Sequence, residues 1–164
     1  MMHQAVLLIG GNEGDRLSVI QQCIPQLATL GNIKNTSSIY ETEAWGRDDL
    51  PPHLNQGILL ETHLFPNELL AAVKQMEVDL GRVPTEKWGI RKIDIDIIFY
   101  DELILKTDLL TIPHAWMHER RFVLIPLSEI IPNWIHPVMQ QSVATLASQC
   151  TDPLWVTLFE QKHS

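Results

Sequence analysis

Asp94 and Asp96 stand two residues apart in the run Lys87-Trp88-Gly89-Ile90-Arg91-Lys92-Ile93-Asp94-Ile95-Asp96-Ile97-Ile98-Phe99-Tyr100, and this spacing is the clearest chemical statement in the chain. In a strand, Ile93, Ile95, Ile97 and Phe99 would share one face while Asp94 and Asp96 share the other, their backbones about 7 Å apart. Two carboxylates so placed can hold hard cations, and oxygen ligands suit magnesium when substrate phosphates complete the octahedron. An isolated Asp-Ile-Asp is also ordinary strand patterning with a solvated acidic face, so the neighbours decide. Phosphate calls for cations, and Arg82, Lys87, Arg91 and Lys92 supply them. No Gly-x-x-x-x-Gly-Lys-Ser/Thr loop is present, and Gly10-Gly11-Asn12-Glu13-Gly14 does not fit dinucleotide spacing. It reads as a strand-to-helix turn.

The elements that must position these residues follow from periodicity. Ala5–Ile9 is a buried first strand, and Leu17, Ile20, Ile24 and Leu27 recur at helical spacing, with Pro25 set to kink that helix and Gly31 to end it. Residues 33–45 form a second strand, 46–52 an exposed loop, and 55–64 a third strand. Phe65-Pro66-Asn67 opens a helix with an apolar stripe of Leu69, Val73, Met76 and Leu80. A second loop, 81–89, leads into the aspartate strand, and both loops are expected to close over substrate. A short strand over 103–105, a last helix over 142–149 and a strand over 155–159 complete the chain. The order strand, helix, strand, strand, helix, strand predicts an α+β fold, a ferredoxin-like αβα sandwich with a mainly antiparallel sheet, in one domain over 1–164.

Composition narrows the function. The chain has 164 residues, 45% hydrophobic and 20% charged, and a formal charge of −8, so a general nucleic-acid-binding surface is not expected. Nothing at the start resembles a signal peptide and no run spans a bilayer; a cytoplasmic protein without membrane contact is expected. Cys23 and Cys150 lack metal or redox spacing and read as buried, reduced thiols. His114 and His118 are four apart, yet no third zinc ligand lies nearby.

Trp88-Gly89-x-Arg91-x-x-Asp94-Ile-Asp96-Ile-Ile resembles the signature of the 6-hydroxymethyl-7,8-dihydropterin pyrophosphokinase family. The resemblance extends in register through Ile9-Gly10-x-Asn12, Tyr40-x-Thr42, Leu54-Asn55, Glu77 with Gly81-Arg82, and Thr111-x-Pro113-His114 followed by Met117, Arg120 and Phe122. It implies transfer of pyrophosphate from ATP to the hydroxymethyl group of a reduced pterin, releasing AMP, in folate biosynthesis. It further implies two magnesium ions on Asp94 and Asp96, with Arg82 and Arg91 completing the catalytic set. ATP would meet Glu77, Arg82, Trp88, Arg91, Ile97, Thr111, His114 and Arg120. The pterin would meet Thr42, Trp45, His53, Asn55, Trp88, Asp94 and Phe122. A monomer is expected.

The chain departs from the family pattern at Ile90, where a small residue or Pro is usual, and at Pro84, where a basic residue is common. Glu43-Ala44-Trp45 replaces a Pro pair and an aliphatic residue, His53 an aromatic, and Leu109 a basic residue. Two other readings stay open: a palm-like two-metal nucleotidyltransferase, which would release pyrophosphate instead of AMP, and a non-catalytic pterin- and ATP-binding pseudoenzyme.

Overall fold

The computed structural model describes residues 1–43, 51–81 and 93–160. Trp45, Arg82, Trp88 and Arg91, and most of both expected closing loops, lie outside the described residues.

Strand β1 (His3–Gly11) is apolar and buried on both faces from Ala5 to Ile9, as a central strand must be. It lies between β4 (His53–Thr62) and β5 (Asp94–Tyr100) and is antiparallel to both. On its other side β4 pairs with β2 (Asn32–Thr36) and β3 (Ile39–Thr42), and β8 (Val156–Glu160) pairs with β3. The sheet order is therefore β5-β1-β4-β3-β8, with β2 also on β4. Helices α1 (Arg16–Leu27) and α2 (Pro66–Asp79) cover one face, packing on Leu7, Ile9, Ile58, Leu60, Ile95 and Ile97. The other face, with Val6, Leu8, Ile98 and Phe99, is covered by α3 (Arg121–Ile130), α4 (Val143–Gln149) and a 3-10 helix (Met117–Glu119). This is the expected α+β, αβα arrangement with an antiparallel sheet. Among the described residues no helix is long and apolar enough to cross a membrane.

Local signals explain the helix starts. Asp15 accepts the Ser18 N–H at 3.1 Å and so caps α1. Pro66 begins α2, while the Glu68 carboxylate reaches back to the Phe65 N–H at 2.8 Å. The expected stripe of Leu69, Val73, Met76 and Leu80 is buried. The sequence expectations fail where the backbone is irregular. β1 does not break at Gly10 but continues through Gly11. The strand expected over 33–45 is two strands, because four residue steps from Thr36 to Tyr40 oppose three on β4 from Ile58 to Asn55, leaving a bulge at Ser37-Ser38. A register shift between Val6 and Leu7 likewise inserts Ile98 into β5, so Phe99 faces the α3 side instead of sharing a face with Ile95 and Ile97.

Other details also differ. α1 ends at Leu27, and Gly31 serves a close approach instead, since a Cβ there would lie 2.0 Å from the Glu61 carbonyl oxygen. The short strand expected at 103–105 is the β6 (Leu105–Lys106) arm of a ribbon with β7 (Thr111–Ile112). Cys23 is fully buried, and burial, then the nearby Glu77, pushes its thiol up to about 12. Cys150 is only half-buried; both cysteines are free.

His136 ties the second layer together and predicts a pH dependence. It is 4% exposed, meets Phe99 and His118 edge-on, and its Nδ1 accepts the N–H groups of Val138 and Met139 at 3.1 and 3.0 Å. Burial, and then the neighbouring His118, lower its pKa from 6.5 to about 4. A proton taken up by the unfolded chain below its ordinary value is thus refused by the folded one, and stability is lost as pH falls from 6.5 towards 4. We expect a contribution on the order of 2 kcal/mol at pH 5. Urea unfolding at pH 7.5 and 5 should show wild type losing that much more than His136→Asn, which keeps an acceptor but cannot titrate; equal losses would refute the assignment.

Candidate active site

The site is built from one row of directly paired residues across four strands. Tyr40 on β3 opposes Asn55 on β4, Asn55 opposes Gly10 on β1, and Gly10 opposes Asp94 on β5. Paired residues share a sheet face, so the Asn55 amide and the Asp94 carboxylate lie on the same side, two strand spacings or about 9.5 Å apart along the row. The next row on that face runs from Gly57 through Leu8 to Asp96, and Leu8 belongs to the core under α3. Asp94 and Asp96 therefore share the α3 face, as the strand pattern predicts, and both are half-buried. On the row beyond Asn55, Thr42 opposes His53.

Gly10 permits this arrangement. A Cβ at that position would stand 2.3 Å from Asn55 Oδ1 and 2.5 Å from the Leu54 carbonyl oxygen, so the Asn55 side chain lies across a strand that must lack one. Asn55 is 6% exposed, and its amide can both donate and accept. Beside it, the Thr42 Oγ1 is buried with no hydrogen-bond partner among the described residues. An unsatisfied buried hydroxyl costs about 1–3 kcal/mol, a penalty that a ligand hydrogen bond to Thr42 would remove.

Interactions outside the expected set hold these strands to the helices around them. Glu129 of α3 accepts the Ser38 N–H at 2.9 Å and the Tyr40 hydroxyl at 2.7 Å, joining α3 to the β2–β3 bulge. Burial, then the Glu129 carboxylate, raises the Tyr40 pKa to about 12, so the phenol stays a donor. Arg16 bridges the Glu41 carboxylate at 2.9 Å and the Pro52 carbonyl at 2.7 Å, tying the α1 start to the chain entering β4. Neither Glu129 nor Arg16 carries a motif in the sequence. The only signal for Glu129 was a lone acidic residue among Leu127, Ile130 and Ile131.

The expected nucleotide residues divide. The His114 N–H donates to the Ile98 carbonyl at 2.9 Å, so His114 lies along the outer edge of β5. Its Nδ1 is 3.0 Å from the Ala115 carbonyl, which can only accept; Nδ1 therefore carries the proton and Nε2 remains for a ligand. Thr111 opens β7, the arm of the ribbon that leads to it. Arg120 stands at the N-cap position of α3 without a side-chain capping bond, and Phe122, half-buried, occupies the first turn of that helix. Ile97, by contrast, faces the α1–α2 layer and is 3% exposed, so its side chain is core. Glu77 is also turned away from the aspartate face. It is 2% exposed on α2, and its Oε2 accepts the Ile95 N–H at 2.7 Å and pairs with Lys74 at 3.2 Å.

Among the described residues no group of three or more His, Cys, Asp or Glu could hold a metal ion. Asp94 and Asp96 supply two oxygen donors on one face, a set that suits magnesium whose other ligands are water and phosphate.

The family model for 7,8-dihydro-6-hydroxymethylpterin-pyrophosphokinase (HPPK) matches residues 6–132. The 2-amino-4-hydroxy-6-hydroxymethyldihydropteridine pyrophosphokinase of Aquifex aeolicus is 40% identical over 140 residues, covering 85% of this chain and 88% of that protein. The enzyme of the same name from a Synechocystis strain is 40% identical over 153 residues, covering 91% and 78%. Among solved structures, wild-type Plasmodium falciparum HPPK-DHPS with pterin and p-hydroxybenzoate superposes with a TM-score of 0.73 at 17% identity, which establishes a shared fold. The match covers 91% of this chain but only 42% of the Plasmodium one. Asp94 and Asp96, Asn55 beside Gly10, and His114 at the edge of β5 thus sit in a fold and a sequence shared with one enzyme group: this chain belongs to the 7,8-dihydro-6-hydroxymethylpterin-pyrophosphokinase family.

Proposed function

We propose that this pyrophosphokinase transfers pyrophosphate from ATP to 6-hydroxymethyl-7,8-dihydropterin, serving folate biosynthesis, and that the row Tyr40–Asn55–Gly10–Asp94 is where the two substrates meet. The observation that carries this reading is the row itself, which sets an amide suited to a pterin edge about two strands from a carboxylate suited to a metal. Thr42 and Asn55 bind the pterin's polar edge, with the open hydroxyl of Thr42 satisfied on binding. Phe122, on the helix that covers this face, offers its ring to the pterin plane. The attacking hydroxymethyl group is thereby aimed along the row towards Asp94.

Asp94 and Asp96 would hold the magnesium that accompanies ATP, which when bound neutralises charge on the transferred group and the leaving AMP. His114 Nε2 and Arg120 would contact phosphate oxygens from the outer side of β5 and the start of α3. Arg82 and Arg91 would add cations, and Trp45 and Trp88 would contact the pterin, all four lying outside the described residues. His53, paired with Thr42 on the same face, would stand beside the ring in place of the usual aromatic.

Mixing the protein with ATP, magnesium and 6-hydroxymethyl-7,8-dihydropterin should release AMP in step with diphosphorylated pterin, and omitting any one component should stop it. Release of pyrophosphate would instead assign the palm-like chemistry. Binding of a non-hydrolysable ATP analogue with no AMP at high protein concentration would make the chain a pseudoenzyme.

A further inference from the structure

Among the described residues, the outer edge of β5 is met by side-chain and loop contacts and by no further strand, and this bears on how the aspartates are held. β5 is the last strand in the sheet order. Its inner edge pairs with β1, while the Ile95 N–H is directed outward and is taken by Glu77 at 2.7 Å. Three residues on, the Ile98 carbonyl accepts the His114 N–H at 2.9 Å. Asp96 lies between these two points. Immediately beyond it the register shift inserts Ile98, and a bulge increases local twist and re-aims nearby side chains. Without an outer partner, a strand entering a bulge would be free to rotate about its single neighbour, and Asp94 and Asp96 would rotate with it.

Glu77 is an unusual group for this task. A carboxylate buried to 2% exposure is costly unless paired and hydrogen-bonded, and a neutral side chain would pack beside Val73 and Met76 more easily. Its oxygen meets the amide of Ile95, the residue that separates the two aspartates. It stands on the α2 side of the sheet, whereas the aspartates face α3, and Glu77, Asp94 and Asp96 do not form a three-ligand metal group.

We propose that Glu77 is a positioning residue, acting on the metal pair through the Ile95 backbone N–H and not through contact with ATP. The inference rests on the assignment of Asp94 and Asp96 as the metal ligands. Its physical content is that what matters at position 77 is an acceptor at the right reach, with charge secondary.

Two conservative variants separate reach from charge. Glu77→Gln keeps an oxygen at the same distance and removes the charge; Glu77→Asp keeps the charge and withdraws the acceptor by one methylene. The probe is manganese in the presence of a non-hydrolysable ATP analogue, titrated by electron paramagnetic resonance, together with amide hydrogen exchange at Ile95. Glu77→Gln should bind manganese within about 3-fold of wild type, whereas Glu77→Asp should bind it about 10–100-fold more weakly, the usual effect of losing a group that orients a metal ligand. Ile95 exchange should be at least about 10-fold faster in Glu77→Asp only. The reverse order, or equal behaviour of the two variants, would overturn the proposal. Asp96→Asn serves as the reference. If it leaves manganese binding intact the metal assignment fails, whereas if it abolishes binding while Glu77→Asp does not, the role of Glu77 fails.

Discussion

Asp94→Asn and Asp96→Asn should each lower AMP release by about 10³-fold or more while leaving the melting temperature within a few degrees of wild type. The two carboxylates lie on the covered α3 face, opposite Gly10 and Leu8, where an amide keeps the shape of a carboxylate but not its charge. Loss of one charged ligand to a cation that stabilises a transferring phosphoryl group removes several kcal/mol from the transition state. About 4 kcal/mol corresponds to the stated factor. The fold does not depend on this charge, because β5 is held by Ile93, Ile95, Ile97 and Ile98 in the two cores. Two like charges two apart on one strand face also repel each other in the metal-free protein. Steady-state AMP release at saturating magnesium, with thermal unfolding of the same samples, tests both halves. Turnover within 10-fold of wild type for both variants would remove the aspartates from the chemistry, and a collapse in melting temperature would make them structural.

How far the sequence foretold this molecule depended on the regularity of the backbone. The central strand, both helices of the α1–α2 layer and the aspartate strand have clean apolar periods and lie where those periods put them. α3 is absent from the elements expected from sequence, since Pro126 at its sixth position interrupts a helical pattern, although Val123, Leu124, Leu127 and Ile130 have helical spacing and are buried. Periodicity also fails across an inserted residue, since one extra residue reverses every later side chain. That is why Phe99 was placed on the wrong face and why Ser37-Ser38 was expected to continue a single strand. For the site, residue types suggested a metal and family resemblance named the partners, yet neither could order them across strands. Gly10 read as a turn from its glycine neighbours; only strand pairing shows it between Asn55 and Asp94. Glu77 was placed at the nucleotide by the family resemblance alone; its acceptor bond to the Ile95 N–H is a tertiary contact that no spacing rule contains.

The importance of that glycine can be measured directly. In Gly10→Ala the new methyl group would be 2.5 Å from the Leu54 carbonyl and 2.3 Å from Asn55 Oδ1. The side-chain oxygen can swing away, but the carbonyl belongs to the paired strand and moves only if β1 and β4 separate. Overpacking of this kind costs on the order of 3 kcal/mol, or a fall in melting temperature of roughly 6–12 °C for a domain of this length. Displacing Asn55 should also raise the KM for the pterin by about 10-fold or more, since a site built around hydrogen bonds discriminates through them, with little change in KM for ATP. Gly14→Ala separates the two effects. Gly14 has φ +66° and open space around it, so its variant pays about 1 kcal/mol of backbone strain and should leave the pterin KM unchanged. If Gly10→Ala were destabilised yet bound pterin normally, Asn55 would not be a pterin ligand and the row would serve only to hold the sheet. If instead the pterin KM rises selectively, one missing methyl group is what lets the pterin-side amide and the metal-side carboxylate share a sheet face two strands apart.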